Sequence, residues 1–93
     1  MIKCIVEMYG LSREVSGVQQ VEIKLEGGNS LRDAVAALRR EIPSLDGSVI
    51  RRGEDRLEDD GAFNINGHFY LDHEELKLED GDHLRLLSLA TGG

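Results

Sequence analysis

The sequence predicts an α+β fold: a mixed sheet of four or five strands with one main helix packed across one face. Three observations carry this. Segments with period-two alternation stand near both ends of the chain, a single helical stripe lies between them, and 93 residues suit one domain. One helix of moderate length can cover one face of a small sheet, which is the simplest way for both to bury their apolar sides. Residues 1–93 are therefore expected to form a single domain, with a flexible tail over about residues 90–93.

Residues 2–9 alternate, with Ile2, Cys4, Val6 and Met8 on one face and Lys3, Ile5, Glu7 and Tyr9 on the other. Period two with β-branched residues predicts a strand. Residues 10–19 carry Gly10, Ser12, Ser16 and Gly17 and read as a loop or wide hairpin connection. Residues 20–25 alternate again, with Val21, Ile23 and Leu25 inward, as in an antiparallel partner with one wet face.

Gly27-Gly28-Asn29 breaks the chain, and Ser30 follows as an N-cap with Asp33 three residues on. Leu31, Ala34, Val35, Leu38 and Ile42 form one helical stripe, about 18 Å long at 1.5 Å per residue. Pro43 disfavours helix at Ile42 and sets the stop. Residues 44–61 are rich in Asp, Gly and Glu and read as variable decoration, with Val49, Ile50 and Leu57 as candidate anchors.

Residues 62–66 read as a short strand ending at the turn dipeptide Asn66-Gly67. Phe69-Tyr70-Leu71 reads as a brief return strand, residues 72–82 as a polar connection, and His83 to Ala90 as the last strand. That strand places Leu84 and Leu86 on one face and Leu87 and Leu89 on the other. If the first pair packs under the helix, Leu87 and Leu89 are left exposed as a docking patch.

Composition narrows the function. Eighteen acidic against 11 basic residues give −7 with His neutral. That lacks the basic footprint nucleic-acid binding needs, and it suits docking to a basic protein surface. Arg39-Arg40 and Arg51-Arg52 sit among acids and read as solvated surface. No apolar run approaches membrane-spanning length. The N-terminus is too short and too alternating for a signal peptide, and Cys4 is the lone cysteine, so a cytoplasmic location is expected. His68, His73 and His83 have no metal-ligand spacing, so no metal site is expected. Cys4, on the inward face, reads as a buried core thiol.

The tail Thr91-Gly92-Gly93 carries the chemical signal. Glycine loses the most conformational entropy on ordering and is a poor end for a strand. Residues without Cβ can, however, thread a narrow channel in another protein and leave the Gly93 carboxyl carbon open to attack. That carboxylate is ionised at neutral pH and inert until activated, most simply by adenylation. The chain has no phosphate-binding loop of the Gly-x-x-x-x-Gly-Lys type, so a partner must supply the ATP chemistry.

An ordered set of short motifs resembles a known family across essentially the whole chain. Met8-Tyr9-Gly10-Leu11-Ser12-Arg13-Glu14-Val15-Ser16-Gly17, Ser30-Leu31-Arg32-Asp33, Ile42-Pro43-Ser44-Leu45, Asn66-Gly67, Leu78-Glu79-Asp80-Gly81-Asp82 and Gly92-Gly93 are similar to those of the MoaD/ThiS ubiquitin-like sulfur carriers. The likeness is greatest to the small subunit of molybdopterin synthase. The resemblance implies a ubiquitin-like β-grasp fold and a carrier rather than an enzyme. It implies that the Gly93 carboxylate is adenylated by a ubiquitin-activating-type adenylyltransferase and converted to a thiocarboxylate. The sulfur would pass to a molybdopterin precursor for molybdenum cofactor biosynthesis, with the tail inserted into the synthase large subunit or another sulfur-accepting enzyme. The resemblance implies no bound cofactor, with ATP used by the activating partner. Gly92 and Gly93 carry over as tail-chemistry residues, and Leu87, Leu89, Ala90 and Thr91 as tail and docking positions. Relatives often carry Pro-Pro-Val before the final glycines, where this chain has Leu89-Ala90-Thr91, which implies a different partner channel. Three further readings stand: a protein modifier joined to lysine through Gly93, a sulfur donor for thiazole or tRNA thiolation, and a non-covalent binding module.

Overall fold

The computed structural model describes residues 1–88. Its elements are β1 (Ile2–Met8), α1 (Leu11–Ser16), β2 (Gln20–Leu25), α2 (Leu31–Glu41), a 3₁₀ turn (Pro43–Leu45), β3 (Gly61–Ile65), β4 (His68–Tyr70) and β5 (His83–Ser88). The strands form a mixed sheet of five, in the order β2-β1-β5-β3-β4. β1 and β5 run parallel at its centre and every other pairing is antiparallel.

The register separates the two faces. Cys4 pairs with Ile23, Val6 with Val21 and Leu84, and Met8 and Phe63 each with Leu86. Directly paired residues share a face, so these side chains form one apolar floor. Leu31, Ala34, Val35 and Leu38 of α2 close over it as a single core, each buried Leu or Val side chain contributing about 1.5–3 kcal/mol.

The local signals for α2 operate as the sequence indicates. The Ser30 hydroxyl oxygen accepts the Asp33 N–H at 3.1 Å, and Asp33 Oδ2 accepts the Ser30 N–H at 2.9 Å. The serine hydroxyl also donates to Oδ2 at 2.7 Å, and these bonds hold the Asp33 carboxyl below its ordinary range. Gly28 is fixed by the same cap, because a Cβ there would run into the Asp33 carboxylate.

Four expectations are corrected. Residues 10–19 contain α1, which starts after Gly10 and stops at Gly17. Gly17, at φ 75°, takes the left-handed position that ends helices, its N–H donating to Arg13 O at 2.9 Å. Six residues are too few for a helical period to show in sequence.

Residues 44–61 are not decoration: Leu45, Val49, Ile50 and Leu57 are all buried in the main core. Bridges Asp46–Ile50 and Ile50–Leu57 order the segment. Arg39 and Arg51 are not freely solvated either. Arg39 is half-buried and pairs with Asp46 at 3.4 Å and Asp55 at 3.0 Å, fastening the segment to α2. These contacts are ionic, without a well-aligned hydrogen bond at Arg39 Nε or Nη2. Arg51 pairs with Asp59 and Glu58.

The polar stretch 72–82 is likewise a strap. Leu78 is buried and its N–H donates to Asn29 O at 2.8 Å, while Gly81 N–H donates to Lys3 O at 2.7 Å. Asp72 is buried because its Oδ2 accepts the Leu57 N–H at 2.7 Å.

Candidate functional site

The sheet's second face has no helix over it. It presents Ile5 and Glu7 of β1, His83, Arg85 and Leu87 of β5, Ala62 and Asn64 of β3, and Phe69 of β4. β5 lies at the sheet centre between β1 and β3, so Ser88, the last described residue, stands at the middle of the sheet's edge. The predicted tail residues Leu89, Ala90, Thr91, Gly92 and Gly93 lie outside the described residues. Leu87 is described, and it is half-buried rather than exposed, because it pairs with Ala62 and is flanked by neighbouring strands on both sides.

Two structural features fix this end of β5. On one side Ser12 of α1 is 2% exposed. Its hydroxyl donates to Tyr9 O at 2.7 Å and accepts the Tyr9 N–H at 3.1 Å. The same oxygen lies 3.3 Å from Leu86 O, tying α1 to the strand that leads into the tail. On the other side Gly61 pairs with Ser88, and a Cβ at Gly61 would meet Leu57 Cβ at 2.9 Å and Glu58 O at 3.2 Å. The backbone is close there because Leu57 packs directly beneath the last rung. Sequence reasoning missed both residues. The signal for Ser12 was its place between Gly10 and Gly17; nothing marked Gly61.

Polar groups occupy the centre of the open face. Tyr9 donates its hydroxyl proton to Glu7 Oε2 at 2.8 Å, and Arg85 Nε stands 3.4 Å from the same oxygen. The tyrosine hydrogen bond, then Arg85, holds the Glu7 carboxyl below its ordinary range, and the same bond raises the Tyr9 phenol. Tyr9, Leu11 and Phe69 are exposed large hydrophobics, at 41%, 45% and 56%. Exposed aromatic residues such as Tyr9 and Phe69 are a type enriched in protein-docking surfaces.

Cys4 is 1% exposed, and burial, then the nearby Asp82 and Asp80, push its thiol up. No group of three or more His, Cys, Asp or Glu among the described residues is placed to hold a metal ion. No helix among them is long and apolar enough to cross a membrane. His73 and His83 stand 3.9 Å and 4.0 Å from Asp72 and Glu7.

Known structures share this architecture. Small archaeal modifier protein 1 of Haloferax volcanii superposes with a TM-score of 0.79 at 25% identity, covering 98% of this chain and 99% of that one. A Pyrococcus furiosus protein assigned as molybdopterin converting factor, subunit 1, gives 0.71 at 26% identity, covering 95% and 98%. The small archaeal modifier protein 1 of Methanosarcina acetivorans gives 0.77 at 23% identity over 100% and 98%, a likeness of fold. No curated protein sequence matches significantly. These neighbours make the fold a ubiquitin-like β-grasp. Residues 6–93 match the sequence model of the ThiS family, and the chain belongs to that family of small carrier-type proteins, which are not themselves catalysts.

Proposed function

We propose that this protein is a sulfur carrier that works through the carboxylate of Gly93. The observation that carries the reading is the extent of the family match, which runs to residue 93 and so takes in the terminal Gly92-Gly93. In the proposed cycle a carboxylate oxygen of Gly93 attacks the α-phosphorus of ATP on a ubiquitin-activating-type partner, and pyrophosphate leaves. Hydrosulfide, or a sulfur nucleophile equivalent to it, then attacks the acyl carbon. AMP leaves with the activated oxygen, and a thiocarboxylate remains. The reaction consumes ATP but changes no oxidation state when hydrosulfide is the sulfur source.

The folded body supplies what the tail cannot. Ordering an extended tail in a partner's channel costs about 1–2 kcal/mol per residue. Docking of the open face around Leu87, Tyr9 and Phe69 offsets that cost. The net charge of −7 favours a basic partner surface and speeds encounter. The dependence on cytosolic ATP favours a cytoplasmic location. The likeness to the protein assigned to the molybdopterin converting factor supports a sulfur acceptor of that kind, with delivery to a synthase large subunit for molybdenum cofactor biosynthesis. The final test is positional. Deleting Gly93, or adding one residue after it, should leave the fold intact and abolish ATP–pyrophosphate exchange with the activating enzyme. Undiminished exchange by the deletion variant would count against the reading.

A second reading is favoured by the likeness to a small archaeal modifier protein at 25% identity. In it the activated Gly93 acyl carbon is attacked by a lysine amine, AMP leaves, and an isopeptide bond forms. Isolation from cell extract of a lysine-linked peptide ending in Gly92-Gly93 would establish it.

A further inference from the structure

β2 is an outer strand of the sheet, and the register shows which of its backbone groups are free. Met8 N–H donates to Gln19 O at 2.8 Å, and the β1–β2 pairing continues from there in steps of two. The backbone groups of Val21 and Ile23 are therefore bonded to β1, and those of Gln20, Glu22 and Lys24 point away from the sheet. Those of Gln20 and Glu22 have no hydrogen-bond partner among the described residues. The Lys24 carbonyl is taken. Arg40, exposed in the last turn of α2, donates to it from Nη2 at 3.2 Å.

An open edge is a template for another strand. β4, the opposite edge, has three residues and offers little, whereas β2 has six. The β2 edge is complementary to itself. Gln20, Glu22 and Lys24 carry their side chains on the open face, paired with Glu7, Ile5 and Lys3. Two copies related by a two-fold axis at Ile23 pair antiparallel, with Glu22 of each copy opposite Lys24 of the other. The outward backbone groups of those residues then exchange hydrogen bonds. The neighbouring registers are poorer. An axis at Glu22 sets Glu22 against Glu22, one at Lys24 sets Lys24 against Lys24, and one at Val21 sets Gln20 against Glu22. Lys24 already stands opposite Lys3 on β1, and an acid on its other flank offsets that repulsion. The obstacle is Arg40. In the matched register Lys24 O must accept the Glu22 N–H of the other copy, and the guanidinium occupies it.

We propose that the β2 edge is a self-pairing surface held closed by Arg40. The guanidinium keeps the protein monomeric, and its withdrawal lets a second copy add its own β2 in the register that sets Glu22 against Lys24. β1 separates β2 from β5, so this surface is independent of the Gly93 chemistry.

Sedimentation equilibrium of the full chain at about 0.15 M salt tests the proposal. The Debye length there is about 8 Å. The net charge of −7 on each copy is then screened at range, while opposed residues about 5.5 Å apart still interact. The parent should be monomeric at concentrations where Arg40→Ala dimerises. The association constant should rise by at least about tenfold, the weight of one hydrogen bond to a charged group. Alanine is the best helix former, so α2 is retained, and circular dichroism checks this. In the dimer the Gln20, Glu22 and Lys24 amides should exchange more slowly than in the monomer. Adding Lys24→Glu to Arg40→Ala should abolish the dimer. Adding Glu22→Lys as well should restore it, because opposite charges return to the same register. A folded Arg40→Ala that stays monomeric overturns the proposal. So does a parent that dimerises equally, a dimer indifferent to Lys24→Glu, or a charge exchange that restores nothing.

Discussion

Gly61 of β3 lies directly opposite Ser88 of β5, and a Cβ at Gly61 would sit 2.9 Å from Leu57 Cβ. The segment before β3 therefore packs against the rung from which the tail departs. Gly61→Ala should destabilise the fold by about 1–3 kcal/mol, the usual cost of overpacking. Its Ser88 and Leu87 amides should exchange faster than in the parent. Urea denaturation and amide hydrogen exchange measure the two effects; an unchanged midpoint and unchanged protection would mean that Leu57 yields without strain.

The same packing predicts that residues 44–61 contribute to global stability. Ile50 is 0% and Leu57 2% exposed, so Ile50→Ala or Leu57→Ala should each cost about 2–5 kcal/mol. Values near zero in chemical denaturation would return the segment to the status of decoration.

Much of this architecture was legible in the sequence, and the reason differs by element. β1, β2 and α2 each carry enough residues to display a period, and Ser30 with Asp33 marked the start of α2 by its chemistry. α1 has six residues and no stripe. In 44–61 the anchors Val49, Ile50 and Leu57 were legible as apolar residues, but Leu45 and the segment's place in the main core were not, because these residues follow no period and are embedded among acids. Leu87 was placed on the correct side of β5, but its burial depends on Ala62, a partner that only the register reveals. The polar cluster of the open face joins Glu7 to Arg85 across 78 positions, a pairing no local pattern encodes.

Ser12 anchors α1 to the tail-bearing strand. Ser12→Ala should cost about 1 kcal/mol, because it removes both hydrogen bonds between the Ser12 hydroxyl and the Tyr9 backbone and leaves the Tyr9 N–H only Leu86 O at 3.3 Å. A thermal melt measures this, and a midpoint shift within error would assign the Tyr9 and Leu86 groups to other partners.

The capping box at α2 sets a pH dependence. Because Asp33 is held below its ordinary value of 3.8, its contribution to stability is complete above that value. It is lost as pH falls through the depressed folded value. Ser30→Ala should lower stability at neutral pH by about 1 kcal/mol. It should also flatten the acid limb of the stability curve, as followed by circular dichroism below pH ~4. An acid limb of unchanged steepness would show that Asp33 titrates independently of Ser30.

Docking is tested apart from chemistry by Leu87→Glu. A charge on the open face beside the last rung of β5 should raise the KM for this protein as substrate of its activating enzyme by about tenfold or more, with kcat nearly unchanged. A fall in kcat at constant KM would place Leu87 in the chemical step instead.

The central claim concerns the Gly93 carboxylate, and intact-mass spectrometry tests it most directly. After incubation with ATP, sulfide and the cognate activating enzyme, the chain should gain the mass difference of one oxygen replaced by one sulfur. Fragmentation should localise that change to Gly93. An unchanged mass, with the activating enzyme shown to be competent on another carrier, would contradict the account.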